Sequence, residues 1–378
     1  MQLVFVISSL DMGGAQRVAI NLIRKWRERG WDITIVVTYS GRGSCYFEIP
    51  AGVEVIYLAD LIGGWRGRLM DRLRRALALR RLLKQRQPQR VVSFLWDANI
   101  FTLVAARGLE IQVVVSERNY PYADAVPWLH AKARLLLYPY SACVVLQTSR
   151  GLDWAAQTMP RARGKVIPNP IALPLPVTSP TVDPATSFDA ATKIILGVGR
   201  LTHAKGFDVL IDAFASVADQ NQEWQLAILG EGPERTSLER QVRHLGLEGR
   251  IHLKGAAGNV SDWYQRADIF VMASRYEGFP NALLEAMAHG CPVISFDCDT
   301  GPADMISSQE YGVLLGRSPD ATQLAAALAS LISDEQRRKR LGNAALEVRE
   351  RYSIDAIIAD WDQALALPAS GGNGSWAG

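Results

Sequence analysis

The chain has 378 residues and a formal net charge of +3, and 48% of its residues are hydrophobic against 21% charged. This composition is typical of a soluble globular protein, and the length favours two domains. No apolar run approaches the roughly 18 residues needed to span a bilayer, and the apolar start at residues 3–7 is too short for a signal-peptide core. The scattered cysteines form no CxxC pair, which argues against a disulfide framework or zinc site and favours a reducing cytosol. They are Cys45, Cys143, Cys291 and Cys298.

The first half of the chain alternates apolar strand-like runs with segments of helical spacing, which predicts a doubly wound α/β domain over residues 1–168. The predicted strands are residues 3–8, 32–38, 53–58, 90–94, 112–116 and 142–147. The clearest helical segments are residues 16–29 and 68–86.

Six prolines between residues 168 and 184 indicate a linker or extended wrap, which we assign to residues 169–190. A second α/β domain is predicted over residues 191–352. Its strands are residues 193–198, 225–229, 251–254, 269–272 and 292–296, followed by a helix over 322–351. A short helix over 353–368 is expected to return toward the first domain, and the Gly-rich tail, 369–378, is expected to be disordered. Two such domains facing each other predict a small-molecule site in a cleft between them.

The sequence SRYEGFPNALLEAMAHG, residues 274–290, predicts a strand, a tight loop and the start of a helix near Asn281. A helix N-terminus offers free N–H groups and partial positive charge, which suit a diphosphate. Gly278 and Phe279 lie in this loop. Glu277 can bind sugar hydroxyls there, and Glu285, one turn into the helix, can accept hydrogen bonds from a ribose. The alternative is that both acids only stabilise the helix start.

Two further loops follow predicted strands. GVGRLTHAKGF, residues 197–207, places Arg200 and Lys205 where cations can bind a diphosphate, unless they are ordinary solvated side chains. SSLDMGGAQR, residues 8–17, contains Gly13 and Gly14, which allow close approach of the backbone to a ligand before a helix begins.

In their order and spacing, these three segments resemble the retaining glycosyltransferases of family 4, from about residue 3 to residue 352. The resemblance implies the GT-B fold, with two Rossmann-like domains facing across a cleft: an N-terminal acceptor domain and a C-terminal nucleotide-sugar domain. It implies that Arg200 and Lys205 bind the donor diphosphate, that Glu277 binds the donor sugar, and that Glu285 binds the ribose. It further places the Gly13–Gly14 loop against phosphates and acceptor, and the nucleobase near Lys254 and Gly255.

The same resemblance implies that neither a metal nor another cofactor is needed, because these cations neutralise the leaving group. Asp297 and Asp299 do form a DxD sequence, which binds metal in a different glycosyltransferase architecture. Here the pair follows a strand of the second domain in a segment that resembles a family turn, so we do not expect metal there.

Glu117 and Arg118 follow a predicted strand of the first domain, in a segment resembling one that lies near the acceptor in related enzymes. Glu117 is expected to orient the acceptor hydroxyl, although a structural ion pair between Glu117 and Arg118 is the alternative. None of the five histidines has metal-ligand spacing or is an obvious catalytic base.

The positive charge is local. Residues 66–90 hold ten Lys or Arg and one acid, so this segment carries +9 and the rest of the chain −6. Within it, Trp65, Leu69, Leu73, Ala76, Leu77 and Leu83 recur at helical spacing and predict an apolar stripe. The cations can be merely solvated or can contact anionic headgroups, whereas nucleic-acid binding is disfavoured because no stacking motif accompanies them. Some bacterial family members extend glycans on a polyprenyl diphosphate, and by that resemblance Arg68, Arg72 and Arg75 are expected to bind the carrier.

We therefore expect a retaining, metal-independent transferase that moves a hexose or N-acetylhexosamine from a nucleotide sugar, most simply a UDP-sugar, to a lipid-linked saccharide. It is expected at the cytoplasmic face of the plasma membrane. Two rivals stay open: a sugar-nucleotide epimerase of the same fold, and a non-catalytic nucleotide-sugar-binding subunit.

Overall fold

The computed structural model describes residues 1–11, 13–39, 45, 47–62, 68–118, 128–366 and 376–377. They form two compact units. Unit 1 comprises Met1–Pro170 with Ile354–Gly378, and unit 2 comprises Ile171–Ser353. Each unit is a parallel sheet with covering helices, so the predicted α/β class is confirmed.

The sheet of unit 1 has central strands whose side chains are almost all buried, as the continuous apolar runs predicted. Its strands are β1 (Gln2–Ile7), β2 (Asp32–Val37), β3 (Glu54–Tyr57), β4 (Arg90–Phe94), β5 (Gln112–Ser116), β6 (Cys143–Leu146) and β7 (Gly164–Val166). They lie side by side in the order β7-β6-β5-β4-β1-β2-β3. The short strand β7 was not predicted, because its three residues carry no apolar run.

Helices cover both faces of this sheet. They are α1 (Gly14–Glu28), α2 (Leu58–Leu61), α3 (Arg68–Arg86), α4 (Trp96–Ala106), α5 (Trp128–Leu137) and α6 (Ser149–Thr158). On one face, α1 buries Trp26 in a core with Phe5 and Phe94. On the other, α3 buries Leu79 and Leu83 in a second core shared with α4 and α6.

Unit 2 repeats this plan. Its strands are β8 (Lys193–Val198), β9 (Trp224–Leu229), β10 (Ile251–Gly255), β11 (Ile269–Met272), β12 (Val293–Phe296) and β13 (Val313–Leu315). The order β10-β9-β8-β11-β12-β13 reverses direction between β8 and β11, as in doubly wound nucleotide-binding sheets.

The helices of unit 2 are α7 (Pro184–Ser187), α8 (Phe207–Ala218), α9 (Arg235–His244), α10 (Val260–Arg266), α11 (Asn281–Ala288), α12 (Pro302–Met305), α13 (Ala321–Ser333), α14 (Glu335–Ala345) and α15 (Val348–Arg351). The single helix predicted over 322–351 is wrong. Asp334 leaves helical geometry and its side chain caps α14 by accepting a 2.7 Å hydrogen bond from the Arg337 N–H.

Most of the proline-rich segment predicted as a linker lies against unit 2. Ile171, Leu175 and Phe188 are buried in its core. The Gly258 N–H donates to the Pro180 carbonyl over 2.7 Å, which fixes the segment along the unit.

After Ser353 the chain forms α16 (Ile354–Ala366), whose Trp361 packs in the α1 core of unit 1. Most of the predicted disordered tail lies outside the described residues, and its described part, β14 (Trp376–Ala377), pairs with β7. No helix among the described residues is long and apolar enough to cross a membrane.

Candidate active site

Two loops of unit 2 follow neighbouring strands at the point where the strand order reverses. Residues 199–206 follow β8, residues 273–280 follow β11, and these two strands pair directly. Ligands of doubly wound sheets bind outside the carboxyl ends of the strands at this reversal. The position makes the two loops the candidate donor site of unit 2.

Lys205 and Glu277 join these loops. The Lys205 Nζ lies 2.5 Å from Glu277 Oε1 and 2.7 Å from Oε2, and Ser274 Oγ donates to Oε1 over 2.7 Å. Glu277 is 10% exposed and Lys205 27% exposed. The sequence assigned these two side chains to different parts of the donor, and the structure brings them into one ion pair.

The Lys205–Glu277 pair keeps a hydrogen-bond donor and an acceptor site that a ligand can use. An ammonium group has three N–H donors, and Glu277 takes two of them. A carboxylate has about four acceptor sites, and the hydrogen bonds from Lys205 and Ser274 use three. One N–H of Lys205 and one acceptor site of Glu277 thus suit a phosphate oxygen and a sugar hydroxyl.

Backbone contacts hold the two loops together. Gly206 has φ +63°, and a Cβ added there would lie 2.0 Å from the Ala273 carbonyl oxygen, so only glycine fits. The Arg275 N–H donates to the Ala204 carbonyl over 2.7 Å. The Arg275 guanidinium binds both carboxylate oxygens of Asp208, at 2.8 and 2.6 Å. Although burial raises the pKa of Asp208, the hydrogen bonds and charge of Arg275 bring it below the usual value.

Glu285 lies in α11 and is buried, with the Tyr264 hydroxyl donating to its Oε2 over 3.2 Å. In the preceding loop Phe279 is buried, and the Gly278 carbonyl accepts from Thr300 Oγ1 over 2.9 Å. Asn281 is the first residue of α11.

Arg200 is exposed in the loop after β8. The Lys254 Nζ lies over the ring of Phe188 at 4.9 Å, and Gly255, with φ +80°, accepts from the Gly230 N–H through its carbonyl.

The DxD sequence contributes to the same loops through its backbone. The Glu277 N–H donates to the Asp299 carbonyl over 2.7 Å, and Tyr276 and Asp299 form an isolated β-bridge. Asp297 follows β12, and its N–H contacts the Leu315 carbonyl at 3.2 Å.

In unit 1 the helix α1 begins at Gly14, and its N-cap residue Gly13 supplies no side-chain cap. The N–H groups of the first turn therefore receive no hydrogen bond from an N-cap side chain. A Cβ at Gly13 would meet the side chain of Gln16 at 2.3 Å. This N-terminus follows β1, at the carboxyl edge of the sheet.

Glu117 and Arg118 lie after β5 and are both buried. Glu117 does not pair with Arg118: its Oε1 accepts from the Tyr138 hydroxyl and lies 3.5 Å from Arg134 Nη1. Burial raises the pKa of Glu117 despite the charge of Arg134.

Arg118 has neutral partners. Its Nη2 donates to Asn169 Oδ1 over 2.5 Å, and its guanidinium lies 4.4 Å from the centre of the Phe94 ring. Burial lowers its pKa to about 9.

A second group of titratable side chains in unit 1 was missed. Asp97 lies in the first turn of α4, His130 in α5, Arg72 in α3, and Tyr39 follows β2. Burial raises the pKa of Asp97, while the charges of His130 and Arg72 lower it less. Burial and Arg72 lower the pKa of His130, whose ring lies 4.8 Å from that of Trp96. These residues are far apart in sequence, and only the fold brings them together.

The basic segment forms α3 with the predicted bounds, 68–86. Its predicted apolar stripe is divided. Leu83 is buried, whereas Leu73 and Leu77 are 56% and 45% exposed. Leu79 and Leu82 turn toward the core instead, because the helix packs on α4 through a different side.

Among the predicted carrier-binding arginines, Arg75 Nη1 donates to the Thr38 and Tyr39 carbonyls over 3.1 Å, and Arg72 is exposed. Arg68 is the first residue of α3, and its side chain, like Trp65 and Leu69, is outside the described part.

Family models match both units. Residues 13–170 match the model "Glycosyl transferase 4-like domain", and residues 180–348 match "Glycosyl transferases group 1". The chain is a family 4 glycosyltransferase with the GT-B fold. The resemblance seen in the three loop motifs is thereby confirmed.

Named relatives of this glycosyltransferase act in bacterial glycan assembly. A Campylobacter jejuni enzyme is 27% identical over 97% of this chain and 98% of its own length. It is named a GalNAc-α-(1→4)-GalNAc-α-(1→3)-diNAcBac-PP-undecaprenol α-1,4-N-acetyl-D-galactosaminyltransferase. An exopolysaccharide phosphotransferase of Streptomyces coelicolor is 26% identical over 96% of this chain, which spans only 40% of that protein.

Solved structures support the same fold. HepE of Anabaena, in complex with UDP and glucose, has a TM-score of 0.80 and 19% identity. The match covers 97% of this chain and 99% of HepE. Sucrose-phosphate synthase from Thermosynechococcus elongatus also has a TM-score of 0.80, with 20% identity over 96% of this chain and 98% of that one.

Proposed function

We propose that this glycosyltransferase transfers a hexose or N-acetylhexosamine, with retention, from a UDP-sugar to a lipid-linked saccharide in polysaccharide or glycan assembly. The observation that carries the proposal is the Lys205–Glu277 pair across the two loops at the strand-order reversal of unit 2. It presents an N–H donor and a carboxylate acceptor side by side, the two groups that a sugar diphosphate requires.

We propose the following donor roles. Arg200 and Lys205 bind the diphosphate, Glu277 binds a donor-sugar hydroxyl, and Glu285 binds the ribose. The backbone of Gly278, Phe279 and Asn281 lies beside Glu277 at the start of α11 and takes phosphate oxygens. Support for UDP comes from HepE, which has the same fold and was solved with UDP and glucose.

In the proposed reaction the bond between the sugar anomeric carbon and the β-phosphate oxygen breaks. The acceptor oxygen forms its bond on the same face of the sugar, and its proton passes to the leaving diphosphate. Arg200 and Lys205 stabilise the negative charge that grows on that diphosphate, so they replace a divalent metal in this role. Arg200, Lys205 and Glu277 are the proposed catalytic residues, and activity is expected to survive EDTA.

The acceptor is assigned to unit 1. Arg72 is exposed at the carboxyl edge of the sheet, and with Arg68 and Arg75 of α3 it is proposed to bind a polyprenyl diphosphate. The buried Arg118 and Glu117 are proposed to lie under the acceptor saccharide and to position it. The start of α1 at Gly13 and Gly14, which has no side-chain cap, is proposed to bind a phosphate. The undecaprenol-linked substrate in the name of the Campylobacter relative supports this choice. A lipid-linked acceptor implies a peripheral position on the cytoplasmic face of the membrane.

The test is UDP release from UDP-sugars, measured with and without a short polyprenyl-diphosphate saccharide in detergent, followed by NMR of the product anomer. We expect release that depends on acceptor and a product with the anomeric configuration of the donor. Conversion of the UDP-sugar without acceptor would instead support an epimerase. Donor binding without any turnover would support a non-catalytic subunit.

Arg72→Glu tests the acceptor assignment in the same detergent assay. We expect a higher acceptor KM with little change in donor KM. Arg24→Glu is the matched control, because Arg24 is an exposed arginine of another helix of unit 1, α1. Equal effects of the two variants would contradict the assignment.

A further inference from the structure

The helix α5 turns its apolar side chains toward solvent. Trp128 is 66%, Leu129 60%, Leu135 44% and Leu136 70% exposed, whereas Arg134 is only 5% exposed. Spacings of one, seven and eight residues place the four apolar side chains on one side of the helix. An amphipathic helix of a soluble domain normally buries this side, so α5 has the reverse orientation.

Polar contacts fix this orientation from the inside. Arg134 Nη1 lies 3.5 Å from Glu117 Oε1, and its guanidinium lies 5.1 Å from the centre of the Trp154 ring. Tyr138, directly after α5, is fully buried and donates its hydroxyl to Glu117. The inward side of α5 is therefore held by a buried ion pair and a hydrogen bond, which cannot be kept if the helix turns its leucines inward.

The neighbouring helices continue the exposed apolar surface. α4 packs against both α3 and α5, and its Val104 is 49% exposed. On α3, Met70, Leu73 and Leu77 follow one another at three and four residues and are 51%, 56% and 45% exposed. We call the exposed side of these three helices, together with Tyr140 three residues after the end of α5, the outer apolar face. Its members are Met70, Leu73, Leu77, Val104, Trp128, Leu129, Leu135, Leu136 and Tyr140.

Cations flank this outer apolar face. The Lys132 Nζ lies 4.9 Å from the centre of the Trp128 ring, and the Arg107 guanidinium lies 5.5 Å from that of Tyr140. Arg81 and Lys84 extend the exposed side of α3 beyond Leu77. α5 contains no acidic residue, and the single acid of α3, Asp71, is buried.

We infer that the outer apolar face is a docking surface for an anionic lipid bilayer, with α5 lying in the plane of the interface. Aliphatic and Trp side chains enter the headgroup region while the adjacent Lys and Arg contact lipid phosphates, the combination that interfacial helices use. An apolar partner protein would not need the flanking cations, and a second copy of this chain would bring like charges together. The choice of lipid rests on the proposed function, because a lipid-linked acceptor brings this chain to a bilayer.

The test is co-sedimentation of the full chain with vesicles of phosphatidylglycerol and phosphatidylcholine, and with phosphatidylcholine alone. We expect binding to the anionic vesicles that weakens with added salt. Trp128→Ser with Leu136→Ser should lower vesicle affinity by tenfold or more. Val177→Ser with Leu245→Ser is the matched control, because it removes two exposed apolar side chains of unit 2 and should leave binding unchanged.

Three results would overturn the inference. They are the absence of vesicle binding by the wild type, equal binding by the Trp128/Leu136 double variant, and light scattering that shows a wild-type dimer which this variant converts to a monomer. Turnover of a short-chain acceptor in detergent is measured in parallel and should be the same in wild type and double variant. Vesicle binding without any turnover would reject the proposed function and keep the docking surface.

Discussion

Charged side chains at the carboxyl ends of the strands are held differently in the two units. In unit 2, Lys205 and Glu277 form a close ion pair across two adjacent loops, and Arg275 binds Asp208 with two hydrogen bonds. In unit 1, Arg118 is buried against neutral groups, and burial shifts the pKa of Asp97 away from its usual value. A preorganised ion pair suits a donor that keeps one diphosphate geometry. Charges withdrawn from water without close counter-charges are costly, and we propose that the acceptor completes these charges in unit 1.

The largest expected effect follows from removing the unit 2 pair. Lys205→Ala leaves the Glu277 carboxylate 10% exposed without its cation and removes a donor to the leaving group. We expect kcat to fall by about 10²–10³-fold, the usual loss for one transition-state charge contact. Steady-state UDP release measures it, with Arg240→Ala as an exposed control in α9. A kcat within threefold of wild type would show that Lys205 does not serve the leaving group.

The next prediction separates the steric clash of a new Cβ from the backbone strain of a positive φ, both in unit 2. Gly206→Ala is expected to destabilise the fold by roughly 1–3 kcal/mol, because the new Cβ would meet the Ala273 carbonyl oxygen at 2.0 Å. Gly246→Ala is its matched control, since Gly246 has φ +66° and a Cβ there meets nothing within 4 Å. Urea unfolding of both variants gives the difference. Equal losses would mean that the two loops can separate without cost.

In unit 1, Asp97→Asn tests whether a destabilising charge is kept for function. A raised folded-state pKa means that the stability contribution of this carboxyl is present at low pH and lost as pH rises through that value. The asparagine variant should therefore be more stable than wild type at pH 7, with a difference that shrinks toward pH 4. Acceptor-dependent kcat/KM should fall about tenfold, as expected for a lost hydrogen bond to a charged group. A variant that is less stable and equally active would make Asp97 purely structural.

The smallest effect concerns Asp208, whose pKa is lowered by Arg275. Because the stability that a lowered carboxyl pKa contributes is lost as pH falls, Asp208→Asn should lower stability more at pH 7 than at pH 3. The side chain is 43% exposed, so the loss should stay under about 1 kcal/mol. Thermal unfolding at the two pH values measures it, and an equal loss at both would exclude the ion pair as its cause.

The sequence predicted most of the regular elements of both units, and it named Lys205 and Glu277, which the structure brings together in unit 2. Long apolar runs and helical spacing identified β4, β5, β8, β11 and α3 with the bounds that the structure has. Arg200, Lys205 and Glu277 could be named because they lie in loops that follow predicted strands, and Glu285 because it lies in the helix after such a loop.

Other features depend on tertiary packing, which local sequence patterns do not reveal. The group of Asp97, His130, Arg72 and Tyr39 comes from separate elements and has no sequence spacing. The outward rotation of α5 is decided by the contacts of Arg134 and Tyr138 with Glu117. The exposed Leu73 and Leu77 of α3 could not be told from core residues by periodicity alone.

Acceptor-dependent UDP release by the wild type and Lys205→Ala, measured side by side in detergent with a lipid-linked saccharide, tests the central claim most directly. We predict release by the wild type only when acceptor is present, and release reduced by two orders of magnitude or more in the variant. UDP release by the variant at the wild-type rate would contradict the account, and so would wild-type release that does not depend on the acceptor.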